Sequence, residues 1–270
     1  MSDYAAHVVG FGPVMLSNFT RYWRVFGTGL SFVAVGIGGV FVFPVLNFAI
    51  RDRQRRSVIA RHVIRFTFRS IVGLMRVMGV FRYEIRGLER LERHGLLILA
   101  NHPTLIDIVF LMAFVKHAEC IVKSQLWRNP FTHATVRAAA YVRNDDYGVQ
   151  LIEDCVAAVR RGGNLIIFPE GTRTAANGLV TLKRGAANIA VRAQRNVTPV
   201  FIACAPPMLV KGERWWQLPS RPSHYRIEVQ EDIDIQPFIV DAGSDALAAR
   251  RLTDHLQGYF TRENVRHGVS

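Results

Sequence analysis

The sequence predicts an α/β protein: a largely parallel central sheet flanked by helices on both faces, behind an N-terminal membrane-anchoring helical segment. Three observations carry this. Residues 25–50 contain no charged side chain. Residues 58–81 have helical periodicity, with Arg61, Arg65, Arg69 and Arg76 confined to about 80° of arc at about 100° per residue. From residue 82 short apolar runs alternate with helical stretches, the order that builds parallel strands joined by covering helices. The chain therefore divides into anchoring helices over 1–81 and an α/β domain over 82–270.

Half of the 270 residues are hydrophobic, which excludes disorder and suffices for one or two packed domains. The scarcity of long apolar runs excludes a multi-span carrier. Lys and Arg number 34 against 21 Asp and Glu, a net charge of +13. The partner is therefore anionic: nucleic acid, an acidic membrane surface or a phosphorylated substrate. Position separates these. Arg51, Arg53, Arg55, Arg56 and Arg61 follow the uncharged run at once, opposed only by Asp52. Much of the excess thus sits beside the apolar segment, and no nucleic-acid partner is expected. Cys120, Cys155 and Cys204 show no CxxC spacing, so neither a disulfide framework nor a zinc site is expected. A reducing compartment fits them better.

In the first segment, 26 residues at about 1.5 Å each cover the ~30 Å hydrocarbon layer. The run starts too late for a signal peptide and lacks a cleavage pattern. Gly27, Gly29, Gly36, Gly38 and Gly39 would let another helix approach closely. Pro44 is expected to kink or end the helix. A single span and a monotopic anchor both stay open, and Arg21 and Arg24 on the far flank favour the second. The arginines after residue 50 place that side at the cytoplasmic face of the membrane. The arginine stripe of 58–81, on an otherwise apolar helix, suits an interfacial helix over anionic lipid.

Strands are expected at 82–86, 96–100, 119–123, 139–142, 164–168, 197–203 and 225–231. Helices are expected at 105–116, 147–161, 184–195 and 244–262, the last with Ser244 as its cap. Residues beyond about Arg262 read as a frayed polar tail.

Two of the most apolar strands end in polar clusters, where sites form in open α/β sheets. The first is Asn101-His102-Pro103-Thr104-Leu105-Ile106-Asp107. Pro103 stops the strand after His102, and Thr104 can cap a helix starting at Leu105. Asp107 can then fold back onto one ring nitrogen, leaving the other to take a proton from a hydroxyl. No Gly-x-Ser-x-Gly elbow is present and no cysteine sits at a strand-to-helix turn, so the substrate supplies the nucleophile. No HExxH or third ligand is present for a metal. The second cluster is Phe168-Pro169-Glu170-Gly171-Thr172-Arg173-Thr174, where Arg173 can grip a phosphate and the backbone around Gly171 can hold an anion.

With both clusters in view, the chain resembles the PlsC-type glycerolipid acyltransferases. NHPTLID matches that family's NHxxxxD motif, and FPEGTRT its FPEGTRS-type motif. Val122-Lys123-Ser124-Gln125-Leu126, Tyr141-Val142-Arg143 and the Pro199-centred strand are similar to the family's remaining motifs, in the same order over roughly residues 82–210. The resemblance implies acyl transfer from an acyl carrier protein or CoA thioester to the hydroxyl of a lysophospholipid, with 1-acylglycerol-3-phosphate first among acceptors. It implies His102 as general base, Asp107 as its orienting partner, and Arg173 with Lys123 and Arg143 as the phosphate site. Glu170, Gly171 and Thr172 would position the acceptor. No cofactor beyond the thioester co-substrate is implied, and no metal. A different acceptor, such as an ornithine-type lysolipid, fits the same motifs. A membrane-tethered nucleic-acid-binding protein is the reading from another class; it requires basic and aromatic residues interleaved beyond residue 82.

Overall fold

The computed structural model describes residues 13–144, 148–174 and 180–267. Helix α1 (Pro13–Ile37) passes through a π-helical turn at Gly38–Val42 into α2 (Phe43–Ala49). Pro44 therefore does not end the helical path. It lies in the first turn of α2, directly after the π-helical turn; its missing N–H forfeits one bond to that turn, which is a usual place for a bend. Thr20–Ala49 is long and apolar enough to cross a membrane, with mean hydropathy 2.2. Phe26, Val33, Ile37, Phe41, Val45 and Phe48 along it are exposed.

The other side of this helix rests on the chain's own body. A Cβ on Gly27 would lie 2.7 Å from Met78 Sδ, and one on Gly39 would lie 2.5 Å from the Phe131 carbonyl oxygen. These two glycines admit intramolecular neighbours, whereas Gly36 and Gly38 face open space. Buried Arg24 donates to the carbonyls of Pro219 (3.2 Å) and Ser220 (2.6 Å), and Phe32 meets Trp215 edge-on at 6.4 Å.

Helix α3 (Arg53–Val77) starts five residues before the predicted one, because Asp52 caps it by accepting from the Arg55 N–H. Its Ala60, Ile64, Ile71, Val72 and Met75 join the core. The arginine stripe is not a free lipid-facing surface. Arg61 turns inward to pair with Glu119 at 2.7 Å and to donate to the Ala139 carbonyl at 3.0 Å. Arg69 lies over the Phe114 ring at 5.6 Å and Arg76 over Tyr83 at 5.5 Å. Periodicity places these arginines together; cation–π contacts and a buried carboxylate decide where they point.

The seven strands are β1 (Phe81–Arg86), β2 (Leu97–Ala100), β3 (Ala118–Lys123), β4 (Val142–Asn144), β5 (Asn164–Ile167), β6 (Val197–Ala205) and β7 (Ser223–Val229). Their order is β1-β7-β6-β2-β5-β3-β4, parallel throughout except for the β6–β7 pair. The helices are α4 (Asp107–Phe114), α5 (Ser124–Arg128), α6 (Pro130–Ala139), α7 (Gly148–Arg160), α8 (Gly185–Ala193), α9 (Gln236–Ile239) and α10 (Asp245–Arg266). Residues 139–142, read as a strand, are split: α6 runs through Ala139, Ala140 turns at φ 54°, and β4 starts at Val142. Helix α10 continues past Arg262 because Asn264 is still buried against the domain.

Alternation along the strands loads two cores. Ile98, Ala100, Ile166 and Ile202 face α3, α4 and α6; Leu97, Leu99, Leu165 and Phe201 face α7, α8 and α10. At the amino end of the sheet, fully buried Asn164 ties three segments together. Its Oδ1 accepts from the Leu96 N–H at 3.0 Å, and Nδ2 donates to the Arg93 and Lys116 carbonyls at 2.8 Å each. Replacing it by Ala removes the partner of one buried N–H and of two part-buried carbonyls. We expect a loss of about 3 kcal/mol or more, read from the urea midpoint in detergent.

Candidate active site

β2 lies mid-sheet between β5 and β6. The chain leaves β2 toward β3 and β4, returns to β5, then passes across β2 to β6. Connections thus diverge at β2, and in open α/β sheets such a point marks the site beyond the carboxyl ends of the strands. Both polar clusters lie there.

β2 stops at Ala100, two residues before His102, because the Asn101 side chain extends the ladder in place of the backbone. Its Nδ2 donates to the Ile202 carbonyl at 2.8 Å and its Oδ1 accepts from the Ile202 N–H at 2.7 Å. His102 is then free of the sheet. Its Nδ1 lies 2.9 Å from Oδ2 of Asp107, and its ring stacks on Phe168 with centroids 4.0 Å apart.

Asp107, fully buried, is the first residue of α4. Thr104 does not cap a helix at Leu105 as expected. Instead Asp107 reaches back to accept from the Thr104 N–H at 2.7 Å and from its hydroxyl at 2.6 Å. Tyr225, also fully buried, donates to Thr104 Oγ1 at 3.0 Å. Burial pushes the Asp107 carboxyl above the usual carboxylate range, while the bonds from His102 and Thr104 pull it back. A carboxylate bonded to Nδ1–H fixes the tautomer in which Nε2 is the basic nitrogen.

The second cluster closes on the first. Glu170 Oε1 accepts from the His102 N–H at 3.1 Å and from the Thr174 hydroxyl at 2.8 Å, and the Thr174 N–H donates to the His102 carbonyl at 2.8 Å. Burial raises the Glu170 carboxyl above its ordinary range; the two donated bonds oppose this. Gly171 turns at φ +71°, and a Cβ there would lie 3.0 Å from Lys183 Nζ. The exposed Lys183 ammonium is thus beside the turn, with exposed Thr172 next to Gly171.

The cations divide between two flanks. Arg173 Nη1 donates to the carbonyls of Leu209 (3.0 Å) and Val210 (2.9 Å), in the loop after β6. The Leu209 carbonyl also accepts from the Leu105 N–H. Lys123 is exposed at the end of β3, and Arg143 of β4 lies over the Trp127 ring at 5.8 Å. The three predicted phosphate ligands therefore bracket the His102–Asp107 pair from opposite sides. Sequence reading missed Tyr225 and the Leu209–Val210 carbonyls. Neither carries a local signal, since strand alternation marks Tyr225 only as a core position.

Burial raises the thiols of Cys120 and Cys155 to about 12 and that of Cys204 to about 11, far from the range of a reactive thiolate. Among the described residues, no group of three His, Cys, Asp or Glu is placed to hold a metal ion. The arrangement is an imidazole oriented by a buried carboxylate, with cations on its flanks, suited to deprotonating a hydroxyl on an anionic molecule.

The family model described as Acyltransferase matches residues 82–203, which contain both clusters. A 1-acyl-sn-glycerol-3-phosphate acyltransferase of Pseudomonas aeruginosa is 29% identical over 165 residues, 59% of this chain and 61% of that protein. One from Helicobacter pylori is 28% identical over 177 residues, 63% of this chain and 68% of that protein. The match thus spans about three fifths of the first relative's length. The crystal structure of the 1-acyl-sn-glycerophosphate acyltransferase PlsC from Thermotoga maritima superposes with a TM-score of 0.64 at 20% identity, covering 90% of this chain and 98% of the other. That likeness concerns the fold.

The raised Glu170 carboxyl makes a pH-dependent prediction. A group with a raised folded-state pKa stabilises the fold below its ordinary value, and that stability is lost as pH rises through the folded value. Glu170→Gln keeps an acceptor for both donors but does not ionise. Relative to the wild type, its unfolding midpoint should be higher at pH 7–8 than at pH 4. A midpoint difference that stays constant between pH 4 and 8 would remove the assigned cause.

Proposed function

With residues 82–203 belonging to the acyltransferase family, we propose that this protein moves a fatty acyl group from an acyl carrier protein or CoA thioester to the hydroxyl of a lysophospholipid. The acceptor we assign is 1-acylglycerol-3-phosphate, giving phosphatidic acid. The observation that carries the reading is the His102–Asp107 hydrogen bond, clasped to the Glu170 loop at the divergence point of the sheet.

In this scheme Nε2 of His102 takes the acceptor's hydroxyl proton as its oxygen attacks the thioester carbonyl carbon. Asp107 stabilises the imidazolium through Nδ1–H. The tetrahedral adduct collapses with cleavage of the carbon–sulfur bond, and the imidazolium returns the proton to the departing thiolate. The thioester is already activated, so the scheme requires neither a metal nor an acyl-enzyme. Arg173 and Lys183 on one side, and Lys123 and Arg143 on the other, hold the acceptor's phosphate near the dyad, and Glu170, Gly171 and Thr172 shape the turn against which it rests.

Residues 1–81 act as the anchor and 82–270 as the catalytic domain. The exposed apolar side of α1 and α2 enters the membrane, with Arg51–Arg56 at the cytoplasmic headgroups. Trp215 and Trp216, each nearly half exposed beside that helix, suit the same boundary. A second reading, transfer to a phosphate-free acceptor such as an ornithine-type lysolipid, draws on Arg173, whose Nη1 already serves two backbone carbonyls.

Purified protein assayed with thioester donors and lysolipid acceptors, products read by mass spectrometry, tests the activity. His102→Ala should lower turnover by at least about 10²–10⁴-fold without unfolding the protein, and Asp107→Asn should leave a residual rate. Wild-type turnover by folded His102→Ala would sink the mechanism. Arg173→Ala should raise KM for the phosphate-bearing acceptor more than for the donor, with partial rescue by Lys; an unchanged acceptor KM favours the second reading. The full chain should remain in the membrane pellet through a high-salt wash and require detergent, because salt screens surface charge and not apolar insertion.

A further inference from the structure

We propose that a cleft at the amino ends of β2, β3 and β5 is a binding site for a phosphate group, separate from the crevice around His102. The cleft holds about 740 Å³ and is lined by Arg53 and Arg61 of α3, His94 before β2, His117 and Glu119 at the start of β3, and Arg161 after α7. Its size is that of a small-ligand pocket. The length of β2, about 13 Å at about 3.3 Å per residue, lies between it and the catalytic loops.

Three guanidinium groups here face one carboxylate. Glu119, with its side chain 4% exposed, is committed to Arg61 through Oε1. Its seat requires Gly163, where a Cβ would collide with that oxygen. Arg53 and Arg161 are exposed and lie at the mouth. The His94 and His117 rings are 5.3 Å apart, and His62 stands 5.2 Å from His117 on the other side. Burial, then His62, His94, Arg61 and Arg65, hold the His117 imidazole below its ordinary pKa. No ligand set for a metal converges among these residues. Arginine forks with imidazole N–H groups beside them match phosphate oxygens. The phosphate can belong to a lipid headgroup, since Arg53 lies four residues beyond the end of α2, or to a soluble phosphate compound.

The test follows the histidine ring signals by NMR in the full chain, embedded in phosphatidylcholine nanodiscs at constant ionic strength. One arm titrates inorganic phosphate; the other replaces part of the lipid with phosphatidylglycerol and adds no phosphate. We expect a saturable shift of His117, with its pKa raised, in at least one arm. It should persist in Arg173→Ala and weaken at least ten-fold in Arg53→Ala/Arg161→Ala, whose exposed sites do not support the fold. Response to the first arm alone assigns a soluble compound, and response to the second assigns a headgroup. No shift in either arm overturns the proposal, as does a shift that survives the double substitution or disappears in Arg173→Ala.

Discussion

A single carboxylate oxygen, Glu170 Oε1, joins the two loops to which the proposed chemistry is assigned. It accepts from the His102 backbone and the Thr174 hydroxyl, while the Thr174 N–H returns a bond to His102. Each loop leaves a different central strand, and neither has a ladder partner at that point. Without the clasp, the His102 main chain would lose its fixed distance from the turn at Gly171, and the dyad would no longer face a defined crevice. The buried charge has a desolvation cost, which the raised carboxyl reflects. That cost is tolerated because both its donors belong to the site it organises.

Asp107 repeats the same logic. Three donated bonds converge on its carboxylate, from His102, the Thr104 N–H and the Thr104 hydroxyl. Behind them Tyr225 fixes the hydroxyl's direction from 121 residues away. The imidazole is thereby oriented by a rigid inner wall as well as by its immediate partner.

How much of this was legible in the sequence depended on whether the cause was local. Strand ends followed by NHPTLID and FPEGTRT are local, and the sheet, the position of both clusters and the His102–Asp107 bond could be read from them. The signal for α6 was also local, Asn129 capping and Pro130 in the first turn, yet apolar residues at its end read as a strand. Arg61 shows the opposite limit. Periodicity groups it with Arg65, Arg69 and Arg76, but Glu119, on a strand 58 positions later, turns it inward. The division of the cations between two flanks was likewise invisible, since the Leu209 and Val210 carbonyls have no sequence signature.

Arg24 links α1 mechanically to the loop after β6. Its guanidinium holds the carbonyls of Pro219 and Ser220, Phe32 meets Trp215, and the same loop offers Leu209 and Val210 to Arg173. These contacts couple the orientation of α1 to that loop. A helix longer or shorter than the local hydrocarbon thickness adjusts by tilting. On the proposed membrane-inserted arrangement, a change in helix tilt would thus reach the geometry around Arg173 through this one loop.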